Sequence, residues 1–161
     1  MISDSILDSA WHEVADQSSP EALIEKMAEA QPALADFLAE AASIFESPDA
    51  VDLVYFMVLV VWRACGAVKD PLPLLSESAI AEAYRQAEAW AEGFGAAPGG
   101  AGAILAEKKL QDYRSYPEPH LMAFVIQAVL DCVEDGLELT PEDQIRALVI
   151  AKAVVDVLSS S

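Results

Sequence analysis

The sequence predicts an all-α fold of about eight helices, and three observations support this prediction. The 161-residue chain contains 29 alanines, and alanine has the highest helix propensity of all residues. A Ser/Thr-Pro-acid triplet supplies an N-cap, a proline at the first helical position and an acid in the first turn. This triplet occurs three times, at Ser19-Pro20-Glu21, Ser47-Pro48-Asp49 and Thr140-Pro141-Glu142. No segment alternates convincingly between apolar and polar residues at a period of two, as a half-buried strand does.

The predicted helices span residues 4–16, 20–30, 32–46, 48–68, 76–94, 103–114, 118–135 and 141–159. In the fifth, an apolar stripe at helical spacing supports the assignment: Ile80, Tyr84, Ala87, Ala91 and Phe94. The last helix carries a similar stripe of Leu148, Ala151, Val155 and Leu158, and Asp143 stands in the capping-box position after Thr140.

The fourth predicted helix contains ten consecutive apolar residues, 53–62, between Asp52 and Arg63. Ten residues are too few to cross a membrane, which takes about 20. Val, Tyr and Phe also favour strands, but the helix start at Ser47 and the lack of a turn signal before Val68 favour a helix. A helix that is apolar nearly all round must be covered nearly all round. We therefore expect it to be the central, buried helix of a two-layer or short HEAT-like α-hairpin arrangement.

The chain is predicted to be one domain, 1–161, with sub-halves 1–92 and 103–161. These are joined by a glycine-rich loop, 93–102, which has five glycines in ten residues. The loop lacks the Lys-Ser/Thr pair and the preceding strand of a P-loop, so we interpret it as a connection. Residues 32–41 and 119–128 share Pro, Leu, Phe and Ala at matching positions, which suggests a helical hairpin used twice.

A net charge of −18 repels phosphate and anionic lipid, so nucleic acid and membrane are not the expected partners. A basic protein, or a second copy of the chain in a homodimer, is the expected partner, unless the charge serves only solubility. Cys65 and Cys132 lie in apolar runs without metal-ligand spacing, which indicates buried free thiols in a reducing compartment. The N-terminal residues do not resemble a signal peptide. These features predict a cytoplasmic protein.

Two segments contain candidate partner-binding residues. One face of the fourth helix brings Tyr55 and Trp62 together with Arg63, and such a face suits recognition of a peptide or helix. In the alternative interpretation this face is a core stripe, and Arg63 pairs with a nearby carboxylate. Tyr113 and Tyr116 lie in the only locally basic, aromatic-rich stretch, 108–120. That stretch serves either as a binding segment or as an internal contact that docks the second half onto the first.

The sequence predicts no catalytic, cofactor-binding or metal-binding residue. One polar stripe runs along the seventh predicted helix and consists of His120, Gln127, Asp131 and Glu134. His120 and Asp131 lie roughly 16 Å apart along the helix, so the stripe is interpreted as a solvent edge. His12 is expected to pair with Asp16, at helical spacing.

The expected function is a non-catalytic protein-protein interaction module. One alternative is a small Mg²⁺-type metal-dependent hydrolase that uses helix carboxylates spaced i, i+3, such as Glu13/Asp16, Asp49/Asp52 and Asp131/Glu134. In a chain with 27 acids, composition alone produces such spacings. The other alternative is an acidic mimic of nucleic acid that binds a basic protein.

Overall fold

A computed structural model describes residues 2–16, 20–92, 116–136 and 139–160, and these residues form seven α-helices and no strand. The helices are α1 (Asp4–Ala15), α2 (Glu21–Ala30), α3 (Pro32–Ala42), α4 (Pro48–Val68), α5 (Glu77–Glu92), α6 (Pro119–Glu134) and α7 (Pro141–Ser160). The all-α prediction is therefore confirmed. The count is seven rather than about eight, and the predicted helix 103–114, like the loop 93–102, lies outside the described residues.

The helix starts follow the predicted capping signals where the structure describes them. The Ser47 hydroxyl accepts a hydrogen bond from the backbone N–H of Asp49, at 3.2 Å, and Pro48 occupies the first turn of α4. The Thr140 hydroxyl accepts from the backbone N–H of Asp143, at 3.1 Å. Helix α2 begins at Glu21, and Ser19 of its predicted start lies outside the described residues.

The predicted end of α3 is wrong by four residues, since the helix ends at Ala42 instead of 46. The backbone N–H groups of Ser43, Ile44 and Phe45 bond to carbonyls three residues earlier, which tightens the last turn and closes the helix. The next N–H, of Glu46, donates to the buried carboxylate of Asp143 on α7, at 3.3 Å. A contact across the fold therefore replaces the last predicted helical turn.

Helix α4 lies in the core, as predicted, and packs against α1, α2, α3, α6 and α7. Residues 57–61 are all fully buried. The helix is long and apolar enough to cross a membrane on length and composition alone. More than half of its most apolar stretch is buried by the neighbouring helices.

Helix α7 shares the central position with α4, which the sequence did not predict. It packs against α4, α5 and α6. The predicted stripe Leu148, Ala151, Val155 and Leu158 is buried, and so are Val149, Ile150, Ala153, Val154 and Val157. Two core helices therefore replace the single one expected. Helices before and after residue 100 contribute to the same hydrophobic core.

The predicted repeated hairpin is not reproduced as two equivalent pairs. Helix α3 packs mainly against α2 and α5 and only slightly against α4, whereas α6 packs closely against α7. The shared Pro, Leu, Phe and Ala pattern therefore belongs to two helices with different neighbours.

Candidate functional site

One face of α1 brings carboxylates and a tryptophan to the surface together. Asp4, Leu7, Asp8 and Trp11 stand at i, i+3, i+4 and i+7, so they share a face of the helix. Ala10 and Val14, beside this face, are buried in the core. Trp11 is 40% exposed, although burial of a tryptophan side chain usually stabilises the folded protein considerably.

The Trp11 ring borders a surface depression of about 720 Å³ between α1 and α6. We call it the Trp11 depression, and its lining residues are Asp4, Ser5, Leu7, Asp8, Trp11 and Phe124. The Phe56 ring of α4 packs against both aromatic residues of the depression. Its centre lies 6.4 Å from that of the Trp11 ring, in an edge-on arrangement, and 6.3 Å from that of the Phe124 ring. Three helices therefore fix the position of its aromatic wall.

The charged groups that line the Trp11 depression are both carboxylates. The Asp4 and Asp8 side chains are 85% and 73% exposed. Each has a histidine neighbour: His120 Nδ1 lies 2.7 Å from Asp4 Oδ1, and His12 Nε2 lies 3.8 Å from Asp8 Oδ1. His12 pairs with Asp8, one turn earlier, and the predicted pairing with Asp16 is wrong.

Two polar contacts hold the first turn of α1 against the start of α6. The backbone N–H of Ile2 donates to Glu118 Oε2 at 2.9 Å. His120 contacts Asp4 from the first turn of α6. These contacts keep Asp4 and Phe124 on the same side of the molecule.

The predicted binding face of α4 is largely covered in the structure. Trp62 is only 8% exposed, Leu59 is fully buried and Tyr55 is half-buried. Burial raises the pKa of Tyr55. Arg63 Nη2 forms an ion pair with Glu13 Oε1 of α1 at 2.6 Å. This arrangement is the core stripe with a paired arginine that the sequence offered as the alternative.

Trp62 and Arg63 nevertheless reach a second cleft, of about 700 Å³, between α1, α4 and the segment after α4. The guanidinium of Arg63 lies 5.5 Å from the Trp62 ring centre. Its Nε is buried without a hydrogen-bond partner. Glu13, one of the acids proposed for a metal site, is bound to this arginine.

Tyr116 makes an internal contact between the two sub-halves. Its hydroxyl accepts a hydrogen bond from Trp90 Nε1 of α5, at 3.0 Å. Lys152 Nζ of α7 lies 5.4 Å from the Trp90 ring and 5.8 Å from the Tyr116 ring, and it pairs with Asp156. For Tyr116, the geometry is that of the docking role suggested for the stretch 108–120, of which residues 108–115 lie outside the described part of the chain. Tyr113 lies outside the described residues.

The described residues do not bring the acidic side chains into a metal site. Within 2–16, 20–92, 116–136 and 139–160, no three His, Cys, Asp or Glu side chains form a group that could hold a metal ion. Gln127 and Asp131 of α6 are exposed and bonded to each other at 2.8 Å, as expected for a solvent edge.

Neither cysteine forms a disulfide. Cys65 is buried, as expected, but Cys132 is only half-buried. Burial, and secondarily the negative charge of Glu118, raises the pKa of the Cys65 thiol to about 12. Burial and then the carboxylates of Asp135, Asp131 and Asp49 raise the pKa of Cys132. Both thiols are therefore held protonated at neutral pH.

We expect Cys65 to react with a thiol reagent at pH 8 about a thousandfold more slowly in the native protein than in urea, because the thiolate is the nucleophile and its fraction falls with the raised pKa. Its thiolate fraction rises only as the pH approaches 12. The measurement is the rate of colour formation with dithiobis-nitrobenzoate in a Cys132→Ser variant, which reports Cys65 alone. Equal rates in native buffer and in urea contradict the assignment.

The helices and the Trp11 depression together define an acidic helical bundle with an exposed aromatic surface. The chain matches no protein-family model, no curated protein and no solved structure. Asp4, Asp8 and Trp11 were not among the site residues predicted from the sequence. Their spacing on one face of α1 was the available signal, but Phe124 joins them only in the folded chain.

Proposed function

We propose that the protein is a non-catalytic, cytoplasmic interaction module that binds a basic protein at the Trp11 depression. The observation that carries the proposal is the half-exposed Trp11 ring beside two exposed carboxylates, with no lysine or arginine among the lining residues. The proposed occupant is a segment of the partner that presents a lysine or arginine together with apolar side chains.

The chemistry of the depression fits such a segment. A lysine or arginine placed over a tryptophan face gains a cation–π interaction, and the two aspartates supply charge of the opposite sign. Phe124 and Leu7 offer apolar surface to the neighbouring side chains of the partner. The net charge of −18 also draws a basic partner towards this face and repels acidic ones.

The described residues provide less structural support for the two alternative functions, a metal-dependent hydrolase and a nucleic-acid mimic. A Mg²⁺-dependent hydrolase needs converging carboxylates, and the described part of the chain contains no such cluster. Mimicry of nucleic acid would draw on the same net charge, but no specific arrangement of acids favours it over a general basic partner.

We expect Trp11→Ala to weaken binding of a basic peptide by about tenfold or more, because large aromatic side chains at the centre of an interface contribute most of its affinity. The probe is a synthetic peptide that alternates arginine with leucine, and calorimetry at pH 7.6 measures its dissociation constant. A peptide with glutamine in place of arginine should not bind.

Leu74→Ala is the matched control, because Leu74 is 72% exposed and does not line the depression. It should leave the dissociation constant unchanged. Equal affinity of wild type and Trp11→Ala would overturn the site, and equal binding of the glutamine peptide would overturn the basic partner. If light scattering shows a dimer that Trp11→Ala dissociates, the occupant is a second copy of the chain instead.

A further inference from the structure

The protein has two histidines, and both contact the carboxylates of the Trp11 depression. His12 reaches Asp8 from the next turn of α1. His120 reaches Asp4 across the fold, from α6, more than 100 positions away in the chain. One histidine therefore stands beside each of the two carboxylates, Asp4 and Asp8, to which the basic partner is proposed to bind.

The other charged groups on the surrounding elements do not line the depression. On α1, Glu13 pairs with Arg63 of α4. Glu118, just before α6, accepts a hydrogen bond from the backbone N–H of Ile2, and Asp131, on α6, accepts one from the side-chain amide of Gln127. Asp49 and Asp52 of α4 and Asp16 at the end of α1 also lie outside the lining. The local charge of the depression therefore depends on Asp4, Asp8 and their two histidines.

Protonation of the histidines changes that local charge by two units. With neutral imidazoles, Asp4 and Asp8 present two negative charges to a partner. With protonated imidazoles, each carboxylate already has a cationic partner, and the net charge of the four groups is zero. Histidine side chains change charge between about pH 5 and 8, whereas lysine and arginine keep their charge throughout that range.

We infer that the cationic side chain of the partner competes with His12 and His120 for Asp8 and Asp4, so that the partner docks when the histidines are neutral and is released when they are protonated. This inference rests on the proposed function. By linkage, a ligand that prefers the deprotonated histidines must release protons as it binds, and its affinity must rise with pH.

The experiment measures binding of the arginine-leucine peptide at pH 5.8 and at pH 7.6. We expect wild-type affinity to be about tenfold weaker at pH 5.8, the size that two exposed ion pairs give together. In the double variant His12→Gln/His120→Gln, the affinity should differ by less than about twofold between the two pH values, because no group in the depression then changes charge.

A second readout separates competition from a merely structural role of the histidines. In wild type at pH 6.5, addition of the peptide should move the imidazole proton signals towards those of the neutral ring, as measured by NMR. Circular dichroism at both pH values checks that each variant is folded. The single variant His12→Gln, which keeps the contact between His120 and Asp4, should retain part of the pH dependence if the double variant unfolds.

The outcomes distinguish failure of the proposed function from failure of the inference. Absence of peptide binding at both pH values overturns the proposed function together with the inference. Binding of equal strength at both pH values overturns the inference and leaves the proposed function intact. The inference alone is also overturned if the affinity of the folded double variant still depends on pH. The same holds if the imidazole signals of the wild type do not move when the peptide is added.

Discussion

Leu59→Ala is expected to lower the free energy of unfolding by about 3 to 5 kcal/mol, the cost of truncating a fully buried leucine. Leu59 has no exposed surface, and it lies near the middle of α4 in the fully buried run 57–61. The substitution removes apolar contacts, and the surrounding helices cannot collapse far enough to fill the space. Urea unfolding followed by circular dichroism gives the change.

Leu74→Ala is the control for this prediction, because it makes the same chemical change at a side chain that is 72% exposed. Its effect should stay within about 0.5 kcal/mol. A loss below about 1 kcal/mol for Leu59→Ala would contradict the central position of α4, since a poorly packed or solvated site loses little on truncation.

Gln31→Leu is expected to lower the free energy of unfolding by about 3 kcal/mol, because it removes two hydrogen bonds and leaves the buried N–H of Leu75 without a partner. Gln31 lies between α2 and α3 and is only 2% exposed. Its amide Nε2 donates to the carbonyl of Pro73 at 2.9 Å, and its Oε1 accepts from the N–H of Leu75 at 2.9 Å. Leucine keeps a similar volume but replaces neither hydrogen bond.

Gln127→Leu is the matched control, because Gln127 is exposed and water can replace its hydrogen bond to Asp131. It should change stability by no more than about 0.5 kcal/mol. Native-state hydrogen exchange adds a local readout, since the Leu75 amide should exchange faster in Gln31→Leu. An unchanged Leu75 exchange rate would show that Gln31 does not hold the segment before α5.

The Gln31 contacts and the Trp11 depression show the same limit of sequence reasoning. In the sequence, Gln31 is an ordinary polar residue at a helix boundary. Nothing near it in the chain indicates that it bonds to Pro73 and Leu75. Asp143 is similar: its place in the capping box was predictable, but its full burial and its bond to Glu46 were not. Buried polar contacts between distant segments leave no local pattern.

The tryptophans illustrate the same difference for the functional site. Trp62 and Trp11 both stand on helices with apolar neighbours, and the sequence offered Trp62, but not Trp11, as a candidate anchor, with a buried core stripe as the alternative for Trp62. In the structure Trp62 is 8% exposed and Trp11 is 40% exposed. Periodicity identifies which face of a helix a residue occupies, but which faces other helices cover depends on how all of them pack.

The sequence by itself determined the all-α class, the start of α4 at Ser47 and the burial of α4. Capping, helix propensity and apolar periodicity involve residues only a few positions apart, so these signals can be identified from the sequence alone. Only the tertiary structure decided that α7 shares the core, that Arg63 pairs with Glu13, and that Asp4 and Trp11 meet His120 and Phe124. Those contacts join residues between about 50 and 120 positions apart, and packing brings them together only when the whole core forms.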